Sequence, residues 1–116
     1  MKNTQQSQTE KFFKKNAKKW AIKSDFKKNK ILNTIQERNI FALKIINQFK
    51  LKYHLDVGCG PGDLSFSSSK ITKKSIGIDF AKSMINIANR KFKRKNLFFY
   101  CKSVFNYKPD ICFDVI

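Results

Sequence analysis

The sequence predicts an α/β fold, a doubly wound parallel sheet preceded by two helices, and three observations carry that prediction. Tyr53 to Val57 is a short apolar strand pattern that runs directly into a glycine loop, Gly58-Cys59-Gly60-Pro61-Gly62, with a helical segment beginning near Asp63. A second strand pattern, Ser75-Ile76-Gly77-Ile78-Asp79, ends on a carboxylate and gives way to a helical pattern from Ala81 to Phe92. All four glycines of the chain fall in these two stretches, so the permissive backbone is concentrated around two neighbouring strand ends.

In chain order, residues 1–9 are polar and nearly featureless and read as a flexible tail. From Glu10 to Lys23, Phe13, Ala17, Trp20 and Ala21 recur at helical spacing, while Lys11, Lys14, Lys15, Lys18 and Lys19 fill much of the rest, giving an amphipathic basic helix. Its simplest role is to lay one face over the core; an RNA or membrane-surface role is the alternative its charge raises. Ser24 to Asn29 is a polar break. A helix of about 20 residues follows, with a stripe of Ile31, Ile35, Ala42, Ile45, Ile46 and Phe49 and a pattern that permits a bend near Asn39.

After the first strand and its loop, Leu64 to Ile71 is a short, serine-rich segment of weak helix propensity. The helix after the second strand carries Met84, Ile87, Ala88 and Lys91 at helical intervals. Lys91 to Lys95 is a basic turn, and Asn96 to Cys101 reads as a third, aromatic strand. Lys108-Pro109-Asp110 breaks the chain before a fourth strand pattern, Ile111 to Ile116.

The two glycine-bearing strand ends carry the chemistry. A loop of alternating glycines lets a bulky ligand approach the backbone, and its free N–H groups, with the start of the following helix, would face a polar or anionic group above the strand. A dinucleotide fingerprint needs a glycine where Asp63 stands, so the pattern here is Gly-x-Gly-x-Gly. Asp79, at the carboxyl end of the second strand, can accept both hydroxyls of a ribose; it also reads as a helix N-cap, and both roles can hold at once. Gly77, inside a strand, marks close approach of another backbone or a ligand.

Composition bounds the rest. The 116 residues make one domain or part of one, and a 41% hydrophobic content is that of a globular chain. No apolar run approaches a membrane span and no secretory segment follows the N-terminus, so a cytoplasmic location is expected. The formal charge of +17 raises a nucleic-acid partner, but Lys supplies 22 of the 25 basic residues, and Lys, Asn, Ile and Phe together make up 57 of 116, which points to compositional bias instead. Cys59, Cys101 and Cys112 form no metal-binding or disulfide pattern and read as reduced thiols, two of them in core strands. His54, the sole histidine, lies inside the first strand and reads as a packing residue rather than a base.

The run Leu55-Asp56-Val57-Gly58-Cys59-Gly60-Pro61-Gly62 resembles motif I of the class I S-adenosylmethionine-dependent methyltransferases. Gly77-Ile78-Asp79-Phe80-Ala81-Lys82-Ser83-Met84 looks like the family's second motif, and Phe113-Asp114-Val115-Ile116 resembles its fourth strand. The resemblance implies a Rossmann-like sheet of order 3-2-1-4 with right-handed crossovers, incomplete here because the family carries three further strands and their helices. It implies S-adenosyl-L-methionine as cofactor, with Asp56, Gly58, Cys59, Gly60, Pro61 and Gly62 around the methionine moiety, Asp79 on the ribose and Phe80 against the adenine. Where the family usually places an acidic residue after the third strand, this chain has Lys102-Ser103, and Ser103 can offer an oxygen. In many small-molecule methyltransferases a helix before the core forms part of a lid, a place the Glu10–Lys23 segment matches.

The organisation expected is therefore a tail (1–9), a helical segment (10–52) and the cofactor-binding half of a methyltransferase domain (53–116). The expected function is methyl transfer to a small-molecule acceptor, with no catalytic base identifiable. Two alternatives are a truncated or partner-dependent, non-catalytic cofactor-binding module, and a basic RNA-binding or RNA-modifying protein.

Overall fold

The computed structural model describes residues 4–25 and 32–116. Residues 1–3 of the expected tail, 26–29 of the polar break, and Ile31 of the second helix's stripe lie outside the described residues. The elements are α1 (Thr4–Ser24), α2 (Thr34–Gln48), β1 (Tyr53–Val57), α3 (Asp63–Ser69), β2 (Lys74–Asp79), α4 (Lys82–Lys91) and β3 (Leu97–Cys101). The three strands form one parallel sheet in the order β1-β2-β3, with Leu55 opposite Ile76 and Gly77 opposite Phe99.

The fourth strand is reduced to a single parallel bridge, Val115 beside His54, and it lies along β1. The main chain there exchanges hydrogen bonds through Leu55 N–H to Val115 O (3.0 Å) and Asp114 N–H to Tyr53 O (2.9 Å). Asp114 shortens the ladder, because its carboxylate rather than a strand carbonyl accepts from the N–H groups of Lys52 and Tyr53, each at 2.9 Å.

Alternation along the strands separates two faces. Leu55, Ile76 and Ile78 form one apolar face, extended on β3 by Phe98 and packed by Tyr107, Ile111 and Phe113 from the segment after β3. The opposite face receives the helices, through a cluster of Cys59, Ile85, Ala88, Leu97 and Phe99. Gly77 belongs to this second face. A Cβ there would meet Phe99 Cδ1 and Ser65 Oγ at 2.8 Å and Cys59 Cβ at 2.9 Å, so the close approach expected at this glycine is made by packed side chains.

The serine-rich segment is where propensity alone misleads. α3 has little apolar surface, yet Ser65, Ser68 and Ser69 are almost fully buried. Each forms a specific bond: Ser65 Oγ donates to Asp56 Oδ2 (2.7 Å), Ser68 Oγ pairs with His54 Nδ1 (2.8 Å), and Ser69 O accepts from Asn96 Nδ2 (2.7 Å). Ser75 Oγ donates to Ser65 O (2.9 Å), completing a polar seam between α3 and the sheet that satisfies groups burial would otherwise penalise.

α1 begins at Thr4, six residues before the predicted start at Glu10, and its Phe13, Ala17 and Trp20 pack on Ala81, Met84 and Ile87 around α4. α2 begins at Thr34 because Asn33 and Gln36 form a capping box, Gln36 N–H to Asn33 Oδ1 and Asn33 N–H to Gln36 Oε1, both 3.1 Å. It runs unbroken through Asn39, and of its predicted stripe Ile46 is buried while Phe49, which closes the helix, is exposed. At that end Leu51 N–H bonds Ile46 O and Lys50 N–H bonds Asn47 O, with Lys50 at φ 50 in the left-handed position that glycine usually takes. Lys50→Gly should therefore raise stability by about 0.5–1 kcal/mol. Urea unfolding measures this, and a loss of stability would mean the lysine side chain outweighs its backbone strain.

Candidate functional site

The glycine loop folds back over the end of β2. Gly58 and Cys59 both donate their N–H groups to Ile78 O, at 2.8 and 3.0 Å, Gly60 N–H donates to Asp79 Oδ2 (2.9 Å), and Gly62 N–H donates to Cys59 O (3.1 Å). This corrects the expectation that free loop amides face a ligand: those four donors are committed within the protein. What the loop presents instead is space. At Gly58 (φ 72) and Gly60 (φ 55) a Cβ would meet nothing within 4 Å, whereas at Gly62 it would lie 2.6 Å from Phe99 Cζ. The first two glycines are open to a cleft; the third is closed by core packing.

Asp79 joins the two motifs. Its Oδ2 accepts from Gly60 N–H and its Oδ1 from Ala81 N–H (2.8 Å), so one carboxylate fixes the loop after β1 against the turn after β2. Ala81, not Asp79, is the N-cap residue of α4. Burial raises the Asp79 pKa above the ordinary carboxylate range, and the two amide bonds oppose that shift. Each oxygen keeps a lone pair for a further donor, such as a ribose hydroxyl.

Two clefts meet at Val57 and Gly58. One, of about 380 Å³, is lined by Ile78, Asp79, Phe80, Lys102, Ser103, Val104 and Phe105 and roofed by Gln5, Gln6 and Thr9 of α1. The other, of about 320 Å³, is lined by Asp56, Cys59, Gly60, Pro61, Asp63 and Leu64 from the loop region, Trp20 and Ser24 from α1, and Ile35, Arg38, Asn39 and Ala42 from α2. Sequence-predicted residues are thus divided between two ends of one trough: Asp79, Phe80 and Ser103 at one, Asp56 and Cys59 to Pro61 at the other. Gly62 lines neither and instead sets the entry to α3 at φ 89.

The electrostatics separate polar binding groups from inert ones. Asp56, half-buried and held by Ser65, is pushed up to about 6, chiefly by burial and further by the charge of Asp79. The Cys59 thiol is driven well above its usual range by burial and packs into the core cluster, which leaves it protonated and unreactive. Cys101 and Cys112 are exposed, contrary to the expectation of two core thiols; Cys101 is the outward last residue of β3 and Cys112 lies outside the ladder. His54 is 4% exposed beside Ser68, and burial holds its pKa down to about 4, which fits its predicted packing role. Ser103 Oγ faces its own turn, accepting from Phe105 N–H at 3.3 Å.

Sequence reasoning missed the contributions of α1 and α2, above all Arg38, an exposed cation that lines the second cleft along with Asp56 and Asp63. Its signal was weak: one of three arginines in a chain whose positive charge is carried mostly by lysines. Among the described residues, no group of three or more His, Cys, Asp or Glu side chains could hold a metal, and no helix is long and apolar enough to cross a membrane.

The sheet, the loop and the trough at the strand ends define an α/β domain built for a nucleoside-bearing cofactor. The family model of the methyltransferase domain matches residues 55–116, and the chain belongs to that family. The class I fold and an S-adenosyl-L-methionine cofactor are those of this family, as the sequence led us to expect.

Among curated proteins, the malonyl-[acyl-carrier protein] O-methyltransferase of Bacillus cereus is 38% identical over 64 residues, which cover 53% of this chain and 24% of that protein. The Bacillus anthracis enzyme of the same name is 36% identical over the same length. The chain therefore spans about a quarter of these relatives. Among solved structures, magnesium protoporphyrin IX methyltransferase of Synechocystis PCC 6803 superposes with a TM-score of 0.71 at 14% identity, over 88% of this chain and 53% of that one, and shares the fold. A putative S-adenosylmethionine-dependent methyltransferase of Listeria monocytogenes gives 0.51 at 25% identity, over 60% of this chain and 34% of that one.

The residues present fit the cofactor. The two clefts share Val57 and Gly58, a Cβ at Gly58 would meet no protein atom within 4 Å, and their linings differ in chemistry. One includes the Asp79 carboxylate and the Phe80 ring, the other the carboxylates of Asp56 and Asp63 and the Arg38 cation.

Proposed function

We propose that this chain forms the cofactor-binding part of a methyltransferase that acts on a small-molecule acceptor. The carrying observation is the single carboxylate of Asp79 tied to Gly60 and Ala81, which holds the first cleft beside the glycine loop and leaves acceptor capacity toward the ligand. In this reading Asp79 receives the ribose hydroxyls and Phe80 lies against the adenine. Ser103 closes that end with its backbone turn more than with its hydroxyl, which already accepts from Phe105.

At the other end the ligand is an amino acid, a zwitterion, and the second cleft carries complementary charges. Asp56 and Asp63 suit its ammonium and Arg38 suits its carboxylate. Bound S-adenosylmethionine supplies an electrophilic methyl on sulfur; the protein's part is to hold the nucleoside and the amino acid on either side of Gly58, where no side chain intrudes. Catalysis in such a site rests on alignment of acceptor and methyl. The name of the Bacillus relatives favours an acceptor oxygen, and a carboxylate or hydroxyl-bearing small molecule is the class to screen first.

Asp79→Ala tests the reading by calorimetry with S-adenosylhomocysteine. Affinity should fall at least about tenfold, the loss of a charged acceptor to two hydroxyls, while the variant remains folded by circular dichroism. Unchanged affinity in a folded variant would remove the ribose assignment.

A further inference from the structure

A parallel sheet has two unlike ends, because every strand begins at one of them and every connection must return there. The turns that deliver the chain to β1, β2 and β3, residues 49–52, 70–73 and 92–96, therefore lie side by side at the end opposite the trough. Hydrogen bonds tie them into one surface. Lys52 O accepts from the N–H groups of Lys73 (2.9 Å) and Lys74 (3.1 Å), Ser75 N–H donates to Asn96 O (2.9 Å), and Asn96 Nδ2 donates to Ser69 O (2.7 Å) and Thr72 O (3.1 Å).

Charge is divided unequally between the two ends. Lys50 and Lys52 in the first turn, Lys70 and Lys73 in the second, and Lys93, Arg94 and Lys95 in the third are all exposed. The three turns contain no carboxylate, while Asp56, Asp63 and Asp79 stand at the trough. Among the described residues, no ion pair involves any of these seven cations. Asp114, whose carboxylate reaches this end, is occupied by the main-chain N–H groups of Lys52 and Tyr53. A bias toward lysine does not account for the whole pattern, since two of the chain's three arginines, Arg90 and Arg94, fall in or beside the third turn.

Large apolar side chains stand exposed among those charges. Phe49, 64% exposed, adjoins Lys50, and Ile71, 43% exposed, lies between Lys70 and Lys73. Beside the third turn, an open recess of about 670 Å³ is lined in part by Phe92, Lys93, Arg94 and Lys95. We propose that this end of the sheet is a docking surface for an anionic lipid bilayer, with its cations at the phosphate headgroups and Phe49 and Ile71 entering the interfacial layer. The recess takes one headgroup, and the trough faces the aqueous side.

Two features favour a bilayer over a nucleic acid. An aliphatic side chain such as Ile71 gains from burial among acyl chains and offers a base no stacking surface. The cations also come from three separate turns across the end of a sheet, which suits a continuous anionic surface rather than the line of one phosphate backbone.

The test is flotation of the full chain with vesicles of phosphatidylcholine alone, and of phosphatidylcholine with about a third phosphatidylglycerol, at about 0.1 M salt. The chain should float with the anionic vesicles only, and less of it as salt is raised. Lys50→Glu, Lys73→Glu and Lys95→Glu combined, one reversal in each turn, should cut partition by about a hundredfold, at about fivefold per cation near a charged membrane. Phe49→Ser with Ile71→Ser leaves every charge in place and should cut it by about tenfold. This second variant decides the matter if circular dichroism shows the first to be unfolded. Lys11→Glu, Lys15→Glu and Lys18→Glu on α1 change the net charge equally and should lose far less. A chain that ignores anionic vesicles, or whose α1 variant loses binding as fully as the three-turn variant, overturns the proposal. Preference for a single-stranded RNA of mixed sequence over the vesicles, unaltered by Phe49→Ser with Ile71→Ser, would assign the surface to nucleic acid and overturn it as well.

Discussion

Gly60→Val is expected to abolish S-adenosylhomocysteine binding, lowering affinity at least about a hundredfold in calorimetry, the largest binding effect of any single change in the domain. Two causes combine. The backbone at Gly60 sits at φ 55, where a β-branched residue is strained, and the space its side chain would occupy is the open trough, since no protein atom lies within 4 Å. Strain alone would also displace the Gly60 N–H from Asp79, loosening the link between the two motifs. Gly62→Val serves as the contrast: its side chain would strike Phe99 and Ala88, so it should lower stability before it affects ligand contacts. Retained tight binding in folded Gly60→Val would show that the ligand does not pass this point of the loop.

The second large effect is on stability against pH, and it belongs to His54. Burial holds its folded pKa to about 4 against an unfolded value of 6.5, so the unfolded chain takes up the proton first as pH falls. The stability of the neutral, buried imidazole is present in full above pH 6.5 and is lost as pH drops toward 4, by about 3 kcal/mol. Asp56 acts in the opposite sense. Its folded pKa of about 6 lies above the unfolded 3.8, so the folded state gains protons first and is favoured as pH falls through that window.

The parent chain should therefore show a shallower profile than either group alone would give. His54→Asn, which keeps a hydrogen-bonding group near Ser68, isolates the imidazole. Its stability deficit relative to the parent should shrink by about 3 kcal/mol between pH 7 and pH 4 in urea unfolding. A constant deficit across that range would mean that His54 is not held neutral by the fold.

Much of this was legible before any coordinates. β1, β2 and β3 were read to within a residue because short apolar runs bounded by glycine, lysine-rich turns and asparagine leave few alternatives, and the packing face of α1 was visible in Phe13, Ala17 and Trp20. What escaped depends on partners far away in sequence. α3 looks weak because its stability resides in serines bonded to Asp56, His54 and Ser75, which no local scale records. The loop amides looked free because their acceptors, Ile78 O and Asp79, belong to another strand. Likewise the fourth strand's length could not anticipate that the Asp114 side chain would take two main-chain donors of the β1 edge. Arg38 was hidden for a related reason, since only the folded helix pair brings it to a wall of the trough.

The sheet order has a consequence for how the domain comes together. Each strand pairs with its immediate successor in sequence, across the connections 58–73 and 80–96, so closing each unit sacrifices little chain entropy. Gly60 and its partner Asp79 are 19 positions apart and both lie within the first of these units. The nascent chain thus has the central clamp of its binding trough within reach once β1, α3 and β2 have associated, and β3 and α4 then consolidate a feature whose parts are already together.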